Sequence, residues 1–422
     1  MSSPEATSPD VWIEPGSARG YARNARLQQA FDAAAEHLRQ VDGYPDSPGP
    51  GQSKELVADL ALEGGGVKGI GLAGAVLALN EAGYTFPRVA GTSAGAIAAS
   101  LIAAISRAGR PMTDLRRYLL QLDFRKFMPE DRIHRLIGNR GGFTGKAADA
   151  IILSRRMGLY PGTYLAEWLQ PVLTGLGVRT FGDLRITPAD DPGMSLPASK
   201  QYRMVVHTSD ITRGELVQLP WDYGYYGLPA DEQEVVGAVR ASMSIPFFFE
   251  PVTVQAREAT VDVATPAGQV IQQHYAAGTV TWTDGGMLRN FPIGAFDRID
   301  GGAPRWPTIG IKLSSLRTSF GTTKASSTAL NVAFRALHTM MNEWDRYNIE
   351  ETTAARTIFV NSAGLAATQF DLTQQDQDKL FINGVRAATQ FIIEMSQAGR
   401  VPRDADQAKQ FLLHKKAAGL SS

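Results

Sequence analysis

Residues 56–107 decide the fold, and they read LVADLALEGGGVKGIGLAGAVLALNEAGYTFPRVAGTSAGAIAASLIAAISR. A short apolar run over 56–62 predicts a buried strand that ends at three glycines, and residues 67–82 carry apolar side chains at helical spacing. A second short strand is predicted over 86–90, followed by a glycine turn and a helix over 94–107. Strand, glycine turn and helix, repeated twice, predict an α/β fold with a parallel sheet.

The apolar pattern predicts further strands and helices beyond residue 107. A helix is predicted over 235–243, and two runs, 252–263 and 270–283, form a hairpin that leads to Asp284. Other predicted strands cover 202–209, 216–219, 308–313 and 357–360. Two long helices each have one apolar face. These faces consist of Leu330, Phe334, Leu337, Met341, Trp344 and Tyr347 in the first helix, and of Leu380, Phe381, Val385, Ala388, Phe391, Ile392 and Met395 in the second, over about 376–397.

The first 55 residues differ in composition from the rest of the chain. Residues 1–20 are polar and rich in Pro and Ser, and residues 42–54 form a Pro/Gly linker. Between them, residues 22–41 repeat apolar side chains at helical spacing, which predicts an amphipathic helix. Its apolar face consists of Leu27, Phe31, Ala34, Leu38 and Val41.

Bulk composition limits the classes of function. The 422 residues include 42 basic and 42 acidic side chains, so no overall positive charge favours nucleic acid as a partner. The absence of cysteine excludes disulfides and thiolate metal sites. The N-terminus shows no secretory signal, and no run reaches the roughly 18 apolar residues that a spanning helix needs. A cytoplasmic or peripheral membrane protein is therefore expected.

The pentapeptide GTSAG at 91–95 has the form G-x-S-x-G between a predicted strand and a predicted helix. A sharp turn there holds a serine in a strained conformation, and the helix N-terminus places free N–H groups beside its hydroxyl. Gly91 and Gly95 lack Cβ atoms, so neighbouring chain segments can pass closely. The motif predicts that Ser93 is a nucleophile, although G-x-S-x-G alone also occurs in turns without chemistry.

The string GGGVKG at 64–69 follows the first strand. Consecutive glycines expose backbone N–H groups, which can donate to an oxyanion that forms when Ser93 attacks a carbonyl carbon. The string also fits the G-x-G-x-x-G dinucleotide pattern, which requires an acidic residue about 20 positions further on. Residues 86–92 contain no acidic side chain, so an oxyanion site is favoured over a dinucleotide site.

The third motif is WTDGGMLRNFP, in which a predicted strand delivers Asp284 into a Gly-Gly turn. A tight bend at Gly285 and Gly286 can aim the carboxylate at a partner. An Asp-Gly turn is also common without any chemical role. The motif therefore indicates a catalytic carboxylate only in combination with the other two.

In this order, the motifs at 64–69, 91–95 and 284–286 resemble those of the patatin-like phospholipase family. The resemblance extends over about 56–398 and includes RASMSIPFFFEPV, before the Asp284 hairpin, and FDLT at 370–373. It implies a three-layer α/β/α fold around a mainly parallel central sheet. The expected divisions of the chain are an N-terminal extension (1–55), a catalytic domain (56–398) and a C-terminal tail (399–422).

The resemblance also implies a Ser-Asp dyad that cleaves acyl esters of lipids. Ser93 is then the nucleophile that carries an acyl-enzyme, and Asp284 is the general base. The expected oxyanion donors are the amides of Gly64, Gly65, Gly66 and Ala94. Supporting motif positions are Lys68, Gly69, Gly91, Gly95, Gly285 and Gly286. The family pattern often has Arg at the position of Lys68, which conserves the charge but not a bidentate contact.

A catalytic histidine is the alternative to a dyad. In the order Ser, Asp, His, only His338 and His414 follow Asp284, and His338 lies on a predicted helix with an apolar face. His207 lies in a predicted strand and fits a buried structural role. We therefore expect no catalytic histidine. No cluster of His, Asp and Glu has metal-ligand spacing, so we expect neither a metal nor another cofactor.

Three further features each have two interpretations. The run Phe247 to Phe249 forms either a lipid-facing wall or ordinary core. Asp210 resembles a family position and also fits a turn or cap. A basic stretch either contacts anionic headgroups or forms a solvated helix face, and the second is favoured. This stretch consists of Arg116, Arg117, Arg125 and Lys126.

The expected substrate is a phospholipid or another acyl-ester lipid, reached by peripheral membrane contact. Phospholipase A or lysophospholipase activity is implied. One alternative is a general carboxylesterase or thioesterase that acts on soluble acyl donors. Another is a phospholipase effector that depends on an activating partner or a small-molecule signal. A non-catalytic binding module is disfavoured because all three motifs are intact.

Overall fold

The computed structural model describes residues 12–13, 22–43, 55–127, 157–191, 193–264, 269–298, 304–313, 351–362, 364–365, 367, 369–398, 401–403 and 405–417. The helix predicted around residues 330–347 lies outside these ranges. So do most of residues 1–20 and residues 44–54 of the predicted linker.

Strands and helices alternate along much of the described chain. The strands are β1 (Trp12–Ile13), β2 (Ala22–Arg23), β3 (Leu56–Val57), β4 (Asp59–Leu62), β5 (Tyr84–Thr85), β6 (Val89–Thr92), β7 (Gly158–Tyr160), β8 (Met204–Asp210), β9 (Glu215–Leu219), β10 (Phe247–Phe249), β11 (Val252–Ala256), β12 (Ala259–Ala264), β13 (Val270–Tyr275), β14 (Gly278–Asp284), β15 (Thr308–Lys312) and β16 (Thr357–Phe359). The α-helices are α1 (Ala25–Asp42), α2 (Ile70–Glu81), α3 (Ala94–Arg107), α4 (Asp114–Gln121), α5 (Thr163–Gly175), α6 (Val235–Ser242), α7 (Gly286–Arg289), α8 (Glu351–Ala354), α9 (Gln374–Ala398) and α10 (Ala405–Ala417).

The central sheet has the strand order β11-β14-β8-β6-β4-β15-β16, and β9 pairs with β8 outside this path. Strands β4, β6, β8, β15 and β16 run parallel, whereas β9, β11 and β14 run antiparallel to their neighbours. Every residue of β4, β6, β8 and β15 is buried, as expected for parallel strands that are covered on both faces. The predicted α/β fold with a mainly parallel sheet is confirmed.

Strands β6 and β14 approach the same edge of β8 from opposite directions. β6 pairs with β8 as far as Thr92, opposite His207, and β14 continues along that edge with Asp284 opposite Thr208. β9 pairs with β8 residues that also pair with β6 and β14, so it occupies the other edge. The carboxyl ends of β6 and β14 therefore meet, which brings the residue after Thr92 close to Asp284.

Helices cover one face of the sheet, and α2 and α9 pack so closely that only glycine fits between them. A Cβ on Gly74 would lie 2.0 Å from the carbonyl oxygen of Phe381, and one on Gly384 would lie 2.0 Å from that of Gly71. All residues predicted for the inner face of α9 are buried. On the opposite face, Phe296 packs against residues of β6 and β8. The sheet is the middle of three layers.

The N-terminal helix α1 packs against α9. Its first turn is capped by Asn24, whose side chain accepts a hydrogen bond from the Leu27 N–H at 2.8 Å. Phe31 and Leu38 are buried in the main core as predicted, whereas Val41, in the last turn, is 48% exposed. Part of the predicted extension thus shares the core, and the divisions at residues 55 and 398 stay predictions.

Several predicted strands have different limits in the structure. The strand predicted over 86–90 begins at Val89, because Pro87 has no N–H to donate to a ladder. The predicted hairpin is present in two parts: β11 pairs with β14, and β12 pairs with β13.

Candidate active site

Ser93 occupies a sharp turn between β6 and α3. Its backbone has φ 52° and ψ −121°, a conformation that non-glycine residues rarely adopt. The flanking glycines are required sterically, because a Cβ on Gly91 would lie 2.2 Å from the Gly95 carbonyl oxygen, and one on Gly95 would lie 2.2 Å from that of Leu62. The strand, turn and helix around GTSAG therefore have the geometry of a nucleophile elbow.

The backbone of Ser93 is fixed by Ser242, a residue that sequence reasoning left without a role. The Ser93 N–H donates to Ser242 Oγ at 2.8 Å, and Ser242 Oγ donates to the His207 carbonyl oxygen at 2.6 Å. All three residues are buried. Ser242 lies in the RASMSIP segment, so the signal was present, but only the fold shows its partner.

Asp284 lies at the end of β14 and is fully buried. Its N–H donates to the Ser244 carbonyl oxygen at 3.0 Å, and its Oδ1 accepts from the Gly286 N–H at 2.7 Å. Burial raises the pKa of Asp284 to about 7, while the Gly286 N–H and the Ser93 side chain lower that pKa in part. The carboxylate is therefore fixed through one oxygen and destabilised in its charged form.

The second oxygen of this carboxylate, Oδ2, makes no hydrogen bond of ordinary geometry within the described part of the chain. The Ser93 side chain lowers the pKa of Asp284, which places it beside this carboxylate. The structure brings the two predicted dyad residues together.

The glycine loop after β4 lies against Ser93. A Cβ on Gly64 would come within 3.0 Å of Ser93 Cβ. Gly66 has φ +57°, and a Cβ there would lie 2.0 Å from the Ala367 carbonyl oxygen, so only glycine fits. The N–H groups of Gly65 and Gly66 have no acceptor among the described residues, nor does the N–H of Ala94 at the start of α3.

Gly64 differs from the other predicted oxyanion donors. Its N–H donates to the Asn290 carbonyl oxygen at 3.0 Å, and the Asn290 side-chain Nδ2 donates back to the Gly64 carbonyl oxygen at 3.1 Å. Asn290 is 5% exposed. Because the Gly64 N–H is already engaged, we leave it out of the set of candidate oxyanion donors.

An ion pair fixes the residue that precedes the glycine loop. Glu63, the residue before Gly64, pairs with Lys312 and accepts the Leu313 N–H at 2.5 Å through Oε2. Lys68 is half-buried, and burial lowers its pKa, with Glu63 opposing and Lys312 reinforcing that effect. No local pattern in the sequence indicates a role for Glu63, because its partner Lys312 is the last residue of β15, 249 positions later.

The described histidines make no hydrogen bond to Asp284. His207 is fully buried beside the site, and burial lowers its pKa to about 3, so its ring is neutral at physiological pH. The ring Nε2 lies 3.1 Å from the side-chain nitrogen of Gln218. His134 and His338 lie outside the described residues, as does the side chain of His414.

The phenylalanine run at 247–249 and Asp210 both make contacts that stabilise the fold. Phe248 and Phe249 are core residues, and Phe247 is half-buried with φ 67°. Asp210 Oδ1 accepts the N–H groups of Thr212 and Arg213 at 2.8 and 3.0 Å, which caps the turn after β8.

The basic stretch is divided between two elements, with Arg116 and Arg117 in α4 and with Arg125 and Lys126 in the 3₁₀ turn 124–127. Arg116 lies 3.6 Å from Asp378, and Arg117 lies 3.3 Å from Asp114. Lys126 lies 5.7 Å from the ring centre of Tyr164. Arg116 therefore packs against α9 and is half-buried, so the stretch is not one solvated helix face.

No helix in the described part of the chain is both long and apolar enough to cross a membrane. No group of three or more His, Asp and Glu side chains in the described ranges is arranged to hold a metal ion.

Comparisons with known proteins identify the family. The model of the patatin-like phospholipase family matches residues 60–297, which include all three motifs. The uncharacterized protein YqhO of Bacillus subtilis (strain 168) is 32% identical over 338 residues, which cover 80% of this chain and 98% of YqhO. VipD from Legionella pneumophila is a similar solved structure at 16% identity and a TM-score of 0.40, covering 86% of this chain and 75% of VipD. Another is the type III effector protein ExoU, at 15% identity and a TM-score of 0.35, covering 86% of this chain and 60% of ExoU. The chain belongs to the patatin-like phospholipase family and is thereby a lipid acyl hydrolase.

Proposed function

We propose that this protein cleaves acyl esters of phospholipids or lysophospholipids through a Ser93–Asp284 dyad and an acyl-enzyme. The main support is the buried Asp284 carboxylate, whose Oδ2 lacks a hydrogen-bond partner among the described residues and which lies beside Ser93 on a strained turn. A base with a pKa of about 7 is well matched to accept a proton near neutral pH.

In the first half-reaction, Ser93 Oγ forms a bond with the acyl carbonyl carbon while its proton passes to Asp284. The tetrahedral intermediate then breaks the ester C–O bond, and Asp284 gives the proton to the departing alkoxide. In the second half-reaction, a water molecule attacks the acyl-enzyme and loses a proton to Asp284. The bond between the acyl carbon and Ser93 Oγ then breaks, the fatty acid leaves, and Asp284 returns the proton to Ser93 Oγ.

The oxyanion of both intermediates is assigned to the N–H groups of Gly65, Gly66 and Ala94. These groups have no acceptor among the described residues, and the Ala94 N–H lies at the N-terminus of the 14-residue helix α3. The positive end of the helix dipole adds to the attraction for negative charge. Removal of one such donor costs about 3 kcal/mol of transition-state stabilisation in comparable enzymes.

The lipid substrate follows from the family, whereas the residues of the site support acyl transfer at a serine in general. A carboxylesterase or thioesterase for soluble acyl donors is the second candidate, because the dyad chemistry is the same for both. Dependence on an activating partner or small-molecule signal is a further form of the proposal.

Fatty-acid release tests the proposal, measured from mixed phospholipid vesicles and from a soluble p-nitrophenyl ester. We expect the wild type to cleave both substrates, and Ser93→Ala and Asp284→Asn to be folded and inactive on both. Cleavage of the soluble ester alone would favour the esterase. If the wild type cleaves neither substrate, the enzyme requires an activator or the proposed activity is wrong, and the assay is repeated with candidate activators. Full activity of Ser93→Ala would refute the dyad.

A further inference from the structure

The hairpin of β12 and β13 forms a two-stranded sheet separate from the central one. Near its tip, Val270 is 68% exposed and Ile271 is 44% exposed. Neighbouring residues of a strand point to opposite faces, so both faces of the ribbon carry an exposed apolar side chain. Among the large apolar side chains that are exposed in the described residues, Val270 and Ile271 are the only two that are adjacent in the chain.

The hairpin is also poor in charge. Residues 259–283 contain one charged side chain, Asp262, and neither Lys nor Arg, although 20% of the whole chain is charged. Exposed edge strands commonly carry charges that oppose pairing with other chains. The near absence of charge lowers the cost of moving this segment out of water.

The hairpin continues from the strand pair that carries Asp284. β14 pairs with β8 from Asp284 up to Trp282 opposite Asp210, the last residue of β8. Residues 278–281 therefore extend past the carboxyl end of β8, on the side of the sheet where Ser93 lies. There they pair with β11, and β12 and β13 follow at the outer end of this ribbon.

Aromatic contacts fix the base of the hairpin to that same end of the sheet. The Tyr275 ring centre lies 5.4 Å from that of Tyr225. The Arg213 guanidinium, in the turn after β8, lies 4.9 Å from the Tyr275 ring centre. The base of the hairpin is therefore held at the edge of the sheet where the parallel strands end and where Ser93 and Asp284 lie. We call this edge the catalytic edge.

We infer that the β12–β13 hairpin docks this protein on a lipid bilayer, with Val270 and Ile271 inserted into the interface and the catalytic edge facing the substrate lipids. The inference rests on the proposed function, which supplies a substrate within a membrane. A bilayer surrounds both faces of an inserted ribbon, whereas a protein partner docked on one face leaves the other in water. The two-sided exposure of apolar side chains therefore favours a lipid surface.

Membrane binding through uncharged side chains is expected to depend little on the charge of the lipid or on the salt concentration. Because residues 259–283 contain neither Lys nor Arg, their contribution to binding does not require anionic lipid. Salt screens attraction between charges but not burial of apolar surface. The hairpin's share of vesicle binding is thus expected to be equal on zwitterionic phosphatidylcholine vesicles at low and at high salt.

The test is flotation of the full chain with phosphatidylcholine vesicles, in the Ser93→Ala background so that the lipid stays intact. The variant Val270→Asp with Ile271→Asp should reduce vesicle binding by about tenfold or more, as expected when two aliphatic side chains are lost from an apolar environment. Val270→Thr with Ile271→Thr keeps strand-forming shapes and should reduce binding in the same direction. Leu413→Asp on α10 is the matched control, because Leu413 is also 68% exposed, and it should bind as the parent does.

The same hairpin variants in the active enzyme separate docking from catalysis. Turnover of a soluble p-nitrophenyl ester should be unchanged, while vesicle hydrolysis falls in parallel with binding. Unchanged flotation of both hairpin variants would overturn the inference, as would loss of soluble-ester turnover. A dimer that the Asp variants convert to a monomer, with flotation unchanged, would identify a second copy as the occupant. If the wild type cleaves the ester but not vesicles, the proposed lipid substrate is wrong. Flotation of the Ser93→Ala protein then still tests whether the hairpin docks on a bilayer.

Discussion

Asn290 and Gly64 exchange two hydrogen bonds, one from the Gly64 N–H to the Asn290 carbonyl oxygen and one from the Asn290 side chain to the Gly64 carbonyl oxygen. Asn290 lies six positions after Asp284, in the segment that follows the Gly-Gly turn. The segment that carries the proposed base therefore also orients the loop that carries the proposed oxyanion donors.

Asn290→Ala removes the side-chain half of this exchange, so the Gly65 and Gly66 amides should lose their alignment. We expect kcat on a soluble ester to fall on the order of 10- to 100-fold, with a smaller change in KM. Asn290→Asp should show a similar loss, because a carboxylate cannot donate to the Gly64 carbonyl. Asn383→Ala, which removes an exposed side-chain hydrogen bond on α9, is the control and should keep full activity.

The raised pKa of Asp284 predicts the pH dependence of activity. A general base must be ionised, so kcat/KM should increase with pH and level off above a midpoint near 7. The profile is measured on a soluble ester between pH 5 and 9, with circular dichroism to confirm that the protein stays folded. A profile that is already flat from pH 5 upward would show that the carboxylate ionises with an ordinary pKa.

The same shift predicts that Asp284→Asn stabilises the protein. The folded state binds the proton more tightly than the unfolded chain, since the pKa is about 7 in place of 3.8. The protonated Asp284 carboxyl thus makes its full contribution to the unfolding free energy below pH 3.8. This contribution is lost as the pH rises to about 7. At pH 8 the loss is on the order of 4 kcal/mol, and Asn avoids it.

Urea unfolding at pH 5 and pH 8 checks this prediction. The variant should exceed the wild type in unfolding free energy, and by more at pH 8 than at pH 5. An equal or lower stability at pH 8 would mean that ionisation of Asp284 carries no such cost.

Gly95→Ala tests the close contact at the start of α3. The new Cβ would lie 2.2 Å from the Leu62 carbonyl oxygen, which belongs to the backbone of β4. We expect destabilisation of about 2 kcal/mol or more, with loss of activity. Gly237→Ala is the matched control in α6, because a Cβ there meets nothing within 4 Å. It should raise stability by about 0.5 to 1 kcal/mol, as thermal unfolding would show.

The sequence predicted the elements around Ser93 because their signals are local. Apolar runs and glycines mark the strands, and helical spacing marks the helices that follow. The start of β6 at Val89 was not predicted, because the apolar pattern already begins at Phe86. Pro87 lacks an N–H and therefore cannot donate to the sheet. The exposure of Val41 was missed because spacing defines a helix face, but not how far along the helix its packing partner extends.

The relations across the site could not be predicted from local patterns. Ser93 and Asp284 meet because β6 and β14 share one edge of β8, which depends on the topology of the whole sheet. The contacts of Ser242 with Ser93 and of Asn290 with Gly64 join segments separated by 149 and 226 positions. Such polar residues give no periodic signal, so their roles are visible only once the chain is folded.

Covalent labelling with a fluorophosphonate tests the central claim most directly. An activated serine Oγ attacks the phosphorus of this reagent and displaces fluoride, and mass spectrometry of the digested protein locates the phosphonyl adduct. The account predicts a single adduct on Ser93, formed much more slowly in Asp284→Asn and absent in Ser93→Ala. An adduct on another residue, or labelling of Ser93→Ala at the rate of the wild type, would contradict the assignment of Ser93 as the nucleophile.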